Sequence, residues 1–272
     1  MNVSVPRAPR ARALTIAGSD SGGGAGIQAD LKTFSALGVY GMTAITAVTV
    51  QNTEGVAGVE AMPPEIVAEQ IRAVATDIGV DAAKTGMLAN AGIVEAVADA
   101  VAAMAIPNLV VDPVFVSKHG HRLLAADAVG ALRSTILPLA TIVTPNLHEA
   151  AGLAGFAVTS RQDMRRAAAA ILELGAGAVL VKGGHLSAGT SAADLFADSR
   201  GERWLEAERI DTANTHGTGC TLSAAIAADL AKGFPLAEAV DTGKAFVTQA
   251  IRSALALGHG IGPVDQLWSI PR

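Results

Sequence analysis

The stretch ALTIAGSDSGGGAGIQADLKTFSALGVYGMTAITAVTVQN, residues 13–52, decides the fold. ALTIAG (13–18) is uncharged and reads as a buried strand. After a glycine loop, Ile27, Leu31, Phe34 and Leu37 recur at helical spacing, and MTAITAVTVQN (42–52) is β-branched and strand-like. Strand, helix and strand in that order make a βαβ unit, whose strands run parallel. The pattern repeats outward. Pro63-Pro64 start a helix reaching about Ile78, AAKTG (82–86) is a short strand, and 90–104 is helical. NLVVD (108–112) and ATIVTPN (140–146) are strands stopped by prolines, with a helical segment at 125–136 between them. A helix at 160–174 and the strand AVLVKGG (178–184) follow. DLFADSRGERWLEAERI (194–210) reads as a hairpin turning at Ser199-Arg200-Gly201, and helices at 220–231 and 236–256 close the chain.

This order predicts an α/β fold of three layers, αβα, with a mostly parallel central sheet and helices on both faces. No linker, repeat or low-complexity block divides it, so 13–272 is expected to be one domain behind a flexible basic tail at 1–12 that carries Arg7, Arg10 and Arg12. Half of the 272 residues are hydrophobic but only 3% are aromatic, which suits helices packed closely on a sheet. A net charge of −5 lacks the basic footprint of a nucleic-acid binder. The lone Cys220 excludes an intramolecular disulfide framework and points to a reducing compartment. No run of about 18 uncharged apolar residues predicts a membrane span, and a cytoplasmic location is expected.

In parallel sheets, ligands sit beyond the carboxyl ends of the strands, where several unusual polar residues fall. In NTHGTGCTLSAAIAADLA (214–231), Gly217-Thr218-Gly219 precede Cys220 at a helix start. Free N–H groups there form an anion site, and the helix dipole is expected to lower the thiol from about 8.5; the plainer reading of Cys220 is an inert buried hydrophobe. The loop GSDSGGGAG (18–26) suggests backbone close to a ligand. Gly24, Gly26 and Ala29 fit a loose dinucleotide fingerprint but begin too far past the strand, and no Gly-Lys-Ser/Thr of a P-loop follows. Asp30, one turn on, either faces the same pocket or is a solvated helix residue.

Asn146 and Glu149 stand three apart at a strand-to-helix transition, where they could bind Mg²⁺, mostly through water, or form a capping box. Asp112 adds a carboxylate at a neighbouring strand end, or serves a turn before Pro113. Lys182 ends an apolar strand and suits a nucleotide phosphate or a structural ion pair. His119 and His121 lack a third ligand and read as surface residues. Gln51 at a strand end can donate to a ring nitrogen and accept from an adjacent exocyclic amine, as glutamine does on adenine.

Together these segments resemble the ribokinase-like superfamily, and closely its hydroxymethylpyrimidine and phosphomethylpyrimidine kinase branch. The resemblance runs from ALTIAGSD (13–20) to GHGIGPV (258–264) through GAGIQADLKTFSALGVYG, AVTVQNT, KTGML, VDPV, TPNLHEA, VLVKGGH and NTHGTGCT. It implies phosphorylation of an aminopyrimidine by ATP, with Cys220 in the catalytic place and Gly217, Thr218 and Gly219 donating to the transferring phosphoryl group. Asn146, Glu149 and Asp112 are then the magnesium and phosphate residues, and Lys182 lies on the nucleotide side. Gln51, Asp30, Gly18, Ala25 and Met87 form the pyrimidine pocket. Relatives of this kind are commonly homodimers, and a monovalent cation is left open. Ser21-Gly22 departs from the Pro-Ser of many relatives, so a more flexible loop is expected. A pyridoxal-type vitamin kinase is the nearest rival. A nicotinamide-dependent oxidoreductase and a non-catalytic nucleotide binder are the alternatives of other classes.

Overall fold

The computed structural model describes residues 10–116, 120, 123–125, 127–184, 186 and 191–271. Strand β1 (Arg12–Asp20) leads through the glycine loop to α1 (Gly26–Ala36) and β2 (Tyr40–Gln51), the βαβ unit expected from the sequence. Arg12, assigned to the flexible tail by its sequence position, instead opens β1. Its side chain donates to Asp81 at 2.6 and 2.9 Å, and its main-chain N–H at 2.8 Å. β3 (Val56–Ala61), VAGVEA, is not among the strands the sequence predicts: it is exposed along most of its length, and its apolar and polar residues do not alternate as those of a half-buried strand do. α2 (Pro64–Asp77), β4 (Ala82–Thr85), α3 (Ala91–Ala103) and β5 (Leu109–Val111) follow.

The stretch expected to be one helix at 125–136 is a short α4 (Ala128–Ala131), a π-helical turn (Leu132–Ile136) and a 3₁₀ turn (Leu137–Leu139). Proline at 138 lacks an amide hydrogen and cannot continue α-helical bonding. β6 (Ile142–Val143) is shorter than its sequence suggested, although Thr141 and Thr144 still donate to Leu109 and Val111, each at 2.8 Å. The remainder comprises α5 (Leu147–Ala154), α6 (Arg161–Glu173), β7 (Ala178–Val181), the hairpin β8 (Ser191–Asp198) and β9 (Gly201–Glu208), α7 (Thr218–Ala231) and α8 (Leu236–Arg252).

Among the described residues the nine strands form one sheet in the order β3-β2-β1-β4-β5-β6-β7-β8-β9. The pairs from β2 to β7 are parallel, and those to β3, β8 and β9 are antiparallel. Alternation of side chains across the pleat sorts the two cores. Leu109 and Val111, Val143, and Val179 and Val181 pack with Ile71, Val97, Leu153 and Ile171 of α2, α3, α5 and α6. Their neighbours Val110, Ile142 and Leu180 pack with Phe34, Ile226 and Val247 of α1, α7 and α8. A parallel sheet covered on both faces follows from this double burial. By the same alternation Ala82 and Lys84 face the α1/α7 side, which carries an ammonium group into the core beneath two helix starts.

Candidate active site

The glycine loop is folded by a single carboxylate. Asp20, at the end of β1, accepts the N–H of Gly22 (2.8 Å), Gly24 (3.0 Å) and Ala25 (2.8 Å). Ala25 caps α1 without a side-chain bond of its own, so the Asp20 carboxylate does this work from outside the helix. Gly26 has φ +56°, and a Cβ there would lie 2.3 Å from the Gly18 carbonyl oxygen, a contact only glycine permits. Burial pushes the Asp20 carboxyl up, but the hydrogen bonds from His216 and the loop amides outweigh it and hold the group below the usual carboxylate value.

The second glycine loop meets the first. Gly217 starts α7 at φ +81°, and no side chain caps this helix. A Cβ on Gly217 would stand 1.9 Å from the Gly24 oxygen, and one on Gly24 2.5 Å from His216 Cδ2. His216 Nε2 lies 2.9 Å from Asp20 Oδ2 and 3.2 Å from the Gln51 amide. Thr49 Oγ1 donates to the Ser19 carbonyl and lies 3.3 Å from the other end of that amide. Gly18 faces Met87, whose sulfur would be 3.1 Å from an added Cβ. Gly18, Ala25, Gln51 and Met87 are thus gathered at the ends of β1, β2 and β4. A cleft of about 350 Å³ opens beside Gln51, lined also by Ser21, Asn52 and Val56; it lies at the β2–β3 turn and does not include Cys220 or Lys182.

Asp30 belongs elsewhere. Its carboxylate is fully buried and holds the Lys84 ammonium at 2.9 and 3.1 Å and the Thr15 hydroxyl at 2.6 Å. A direct contact with substrate, expected from the resemblance, does not fit that placement; the group braces the lysine from behind the pocket. Burial works against the Lys84 ammonium, but the charges of Asp30, Cys220 and Asp112 raise its pKa above the ordinary lysine value. Lys84 went unrecognised in the sequence, where a lysine inside AAKTG was the available signal.

Cys220 is half-buried. Its thiol is pushed up to about 11, by burial first and then by the charges of Asp30 and Asp112, while Lys84 and the Gly26 N–H pull it down. The lowering expected from the helix dipole is therefore outweighed. The surroundings are nonetheless polar, not the inert apolar packing that was the alternative.

On the other side of α7, Lys182 donates to Asp112 at 3.1 Å and lies 4.0 Å from Glu149. A Cβ on Gly219 would be 3.3 Å from Lys182 Nζ and 3.4 Å from Asp112 Oδ2, so the loop sits directly above this pair. Ser223 Oγ, one turn into α7, is 3.4 Å from Asp112. Asn146 and Glu149 do form the capping box: Glu149 N–H donates to Asn146 Oδ1 at 3.0 Å, and Asn146 N–H to Glu149 Oε2 at 2.8 Å. Burial, and then Asp112, push the Glu149 carboxyl up against the pull of Lys182. Among the described residues no three His, Cys, Asp or Glu side chains are grouped to hold a metal directly. His119 and His121 lie outside the described residues.

The sheet order, the helix layers and an uncapped helix start facing a lysine and two carboxylates place this protein in the ribokinase-like class of α/β folds. The profile of the family described as phosphomethylpyrimidine kinase matches residues 20–265, and the chain belongs to that family. It is 52% identical over 257 residues to a hydroxymethylpyrimidine/phosphomethylpyrimidine kinase of Streptomyces coelicolor, with 94% of each chain covered. It is 49% identical over 259 residues to the thiamine biosynthesis bifunctional protein ThiED of Geobacter sulfurreducens, covering 95% of this chain and 53% of that longer one. Among solved structures, the ADP complex of a Bacillus subtilis pyridoxal kinase superposes with a TM-score of 0.89 at 42% identity, covering 95% of this chain and 98% of the other. No helix of the described residues is long and apolar enough to cross a membrane.

Proposed function

We propose that the protein transfers the γ-phosphoryl group of ATP to the primary hydroxyl of 4-amino-5-hydroxymethyl-2-methylpyrimidine, and then phosphorylates the monophosphate to the diphosphate, on the way to thiamine. One observation carries this reading. The uncapped start of α7 has Lys182 and Asp112 against Gly219 on one side, and the Gln51 amide against His216 on the other. Phosphoryl transfer asks for positioning and charge stabilisation rather than covalent work, and that start offers both between a nucleotide side and an aromatic-ring side.

In the first step the substrate oxygen bonds to γ-phosphorus as the bond to the ADP oxygen breaks, and the hydroxyl proton passes to the Cys220 thiolate. Gly217, Thr218 and Gly219 present main-chain N–H groups to the equatorial oxygens, and Lys182 balances the charge of the phosphates. In the second step the acceptor is already an acidic phosphate and needs no base. Gly18, Ala25, Met87 and Gln51 hold the ring.

Asp112 and Glu149 are both nearly buried, and among the described residues Lys182 is the one cation within ion-pair reach of them, a single positive charge for two carboxylates. Hard oxygen donors with one surplus negative charge fit Mg²⁺ held largely through water, with Asn146 fixing Glu149. When bound, the ion neutralises charge on the β- and γ-phosphates. We place the enzyme in the cytoplasm, as a single unit from Arg12 onward and as a homodimer. The exposed Val48 and Val50 on β2 suit a subunit contact, and a monovalent cation is compatible with the phosphate side.

A pyridoxal kinase activity is the second reading, favoured by the fold match to the Bacillus subtilis protein. ADP release with ATP and Mg²⁺ over either hydroxymethylpyrimidine or pyridoxal tests both. Faster turnover of the pyrimidine is expected. Turnover of pyridoxal alone would reverse the assignment, and nucleotide binding without ADP release would make the protein a binder.

A further inference from the structure

Two of the polar groups around Gln51 have no part in the chemistry above. Asp20 and His216 come from loops 196 residues apart, yet His216 Nε2 is within 2.9 Å of Asp20 Oδ2. Both side chains are nearly buried. Asp20 Oδ2 already accepts two main-chain N–H groups, from Gly24 and Ala25. A carboxylate oxygen in that setting is an acceptor only, so the proton between the two atoms belongs to His216 Nε2. Gly24 lies on the other side: a Cβ added there would come 2.5 Å from His216 Cδ2, so only glycine lets the ring sit this close to the loop.

The same Nε2–H is shared between Asp20, the nearer acceptor, and Gln51, whose amide lies 3.2 Å from the ring nitrogen. A donor must meet an acceptor, so the amide presents Oε1 to His216 and Nε2 to Thr49. Thr49 Oγ1 spends its proton on the Ser19 carbonyl and is free to accept at 3.3 Å. Amide orientation is assigned from its neighbours rather than from electron-rich atoms that look alike, and here the neighbours leave one consistent choice. Used this way, Gln51 keeps one N–H and one Oε1 lone pair side by side, both directed away from its protein partners.

We infer that His216, pinned by Asp20, is a positioning residue that fixes the Gln51 amide so that the pocket selects a ring carrying an acceptor nitrogen beside an exocyclic amino donor. The inference rests on Gln51 contacting the substrate ring, as proposed above. A pyridine ring with no amino group beside its nitrogen leaves Oε1 unmatched, and an unmatched buried acceptor is costly. Without the imidazole donor the amide is free to turn, and the preference should narrow.

The test uses the full-length enzyme with Gln51→Ala, His216→Leu, His216→Gln and His216→Phe, measuring kcat and KM for hydroxymethylpyrimidine, pyridoxal and ATP. ¹⁵N shifts of the His216 ring are recorded as well. His216→Leu should raise the KM for hydroxymethylpyrimidine about tenfold or more, with kcat and the KM for ATP within about threefold, because the amide loses the donor that enforces its pairing with the ring. The pyrimidine-to-pyridoxal ratio of kcat/KM should fall by a similar factor. His216→Gln, which keeps a terminal N–H for Asp20, should restore most of it. The ring nitrogen that carries the proton should be Nε2. If His216→Leu is too unstable to assay, His216→Phe, which keeps a ring of similar size and removes the donor, should give the same KM signature without touching the Asp20 loop contacts. An unchanged pyrimidine KM in the His216 variants, alongside a raised one in Gln51→Ala, overturns the inference and leaves the pocket standing. An unchanged KM in Gln51→Ala itself sinks the pocket assignment. Equal loss toward pyrimidine and ATP, or a bare Nε2, also overturns the positioning role.

Discussion

At the scale of single residues, the charged layer beneath α7 is where charge and burial compete most sharply. Cys220 can take a proton only as a thiolate, and its thiol is pushed up to about 11. Below that value the thiolate fraction grows tenfold per pH unit, so kcat/KM for hydroxymethylpyrimidine should climb with a slope near one from pH 7 to 9. The monophosphate, needing no base, should show no such climb. Cys220→Ala should lower first-step turnover by about 10²–10⁴ with little change in KM and should flatten the profile. Full first-step activity in that variant removes the sulfur from the mechanism. Lys84 and Asp30 make the second case. Both are wholly buried, so Lys84→Met should cost about 3–5 kcal/mol by leaving a bare carboxylate, while adding Asp30→Leu should recover most of that loss. Denaturant midpoints of the two variants decide it, and a double variant no more stable than the single one refutes the pairing argument.

The elements show what was legible in the sequence and what was not. Hydrophobic spacing placed α1, α2, α3 and α6 to within a residue or two, because one face of each carries the core. β3 is not legible because an exposed edge strand buries almost nothing, and VAGVEA lacks the apolar–polar alternation that marks a half-buried strand. The π-helical turn at Leu132–Ile136 escaped because it preserves the apolar spacing of an ordinary helix while changing its bonding. The Asn146–Glu149 box was readable since capping is local. The pairs Lys84–Asp30, 54 residues apart, and His216–Asp20, 196 apart, are products of the tertiary fold. The loop ahead of α1 illustrates the cost of such dependence. Asp20 is held below its ordinary value of 3.8, so the stability it contributes is complete above that pH and is lost as the pH falls through the lower folded value. The melting temperature of Asp20→Asn should therefore lie below that of the parent at pH 7, and the gap should close below pH 3.8. A gap that does not narrow at all as the pH falls below 3.8 would show that the carboxylate's charge is not what holds the loop.

For the whole molecule, the active site closes only when the two ends of the chain meet. Residues 261–266 run past both glycine loops and the β2–β3 turn. Ile261 N–H donates to Thr53 (2.8 Å), His216 N–H to Gly262 (3.1 Å) and Val264 N–H to His216 (3.1 Å). Gln266 Nε2 lies 3.2 Å from the Gly24 oxygen, 242 residues away in sequence, and 3.3 Å from Thr221 Oγ1, joining the first loop to α7. Val264 is wholly buried. One buried valine at about 2 kcal/mol and several hydrogen bonds at about 1 kcal/mol each sum to roughly 5 kcal/mol, a large share of the 5–15 kcal/mol typical of a folded domain. Removing 261–272 should therefore unfold the protein or lower its denaturant midpoint steeply, with loss of activity. Removing only 269–272 takes away residues that are exposed from 269 to 271 and leaves Trp268 on Phe246, ring centroids 5.6 Å apart. That shorter deletion should keep the melting temperature within about 2 °C and leave turnover intact. Equal tolerance of both deletions would mean that the glycine loops hold their shape without the strap, and that the site is built by the sheet ends alone.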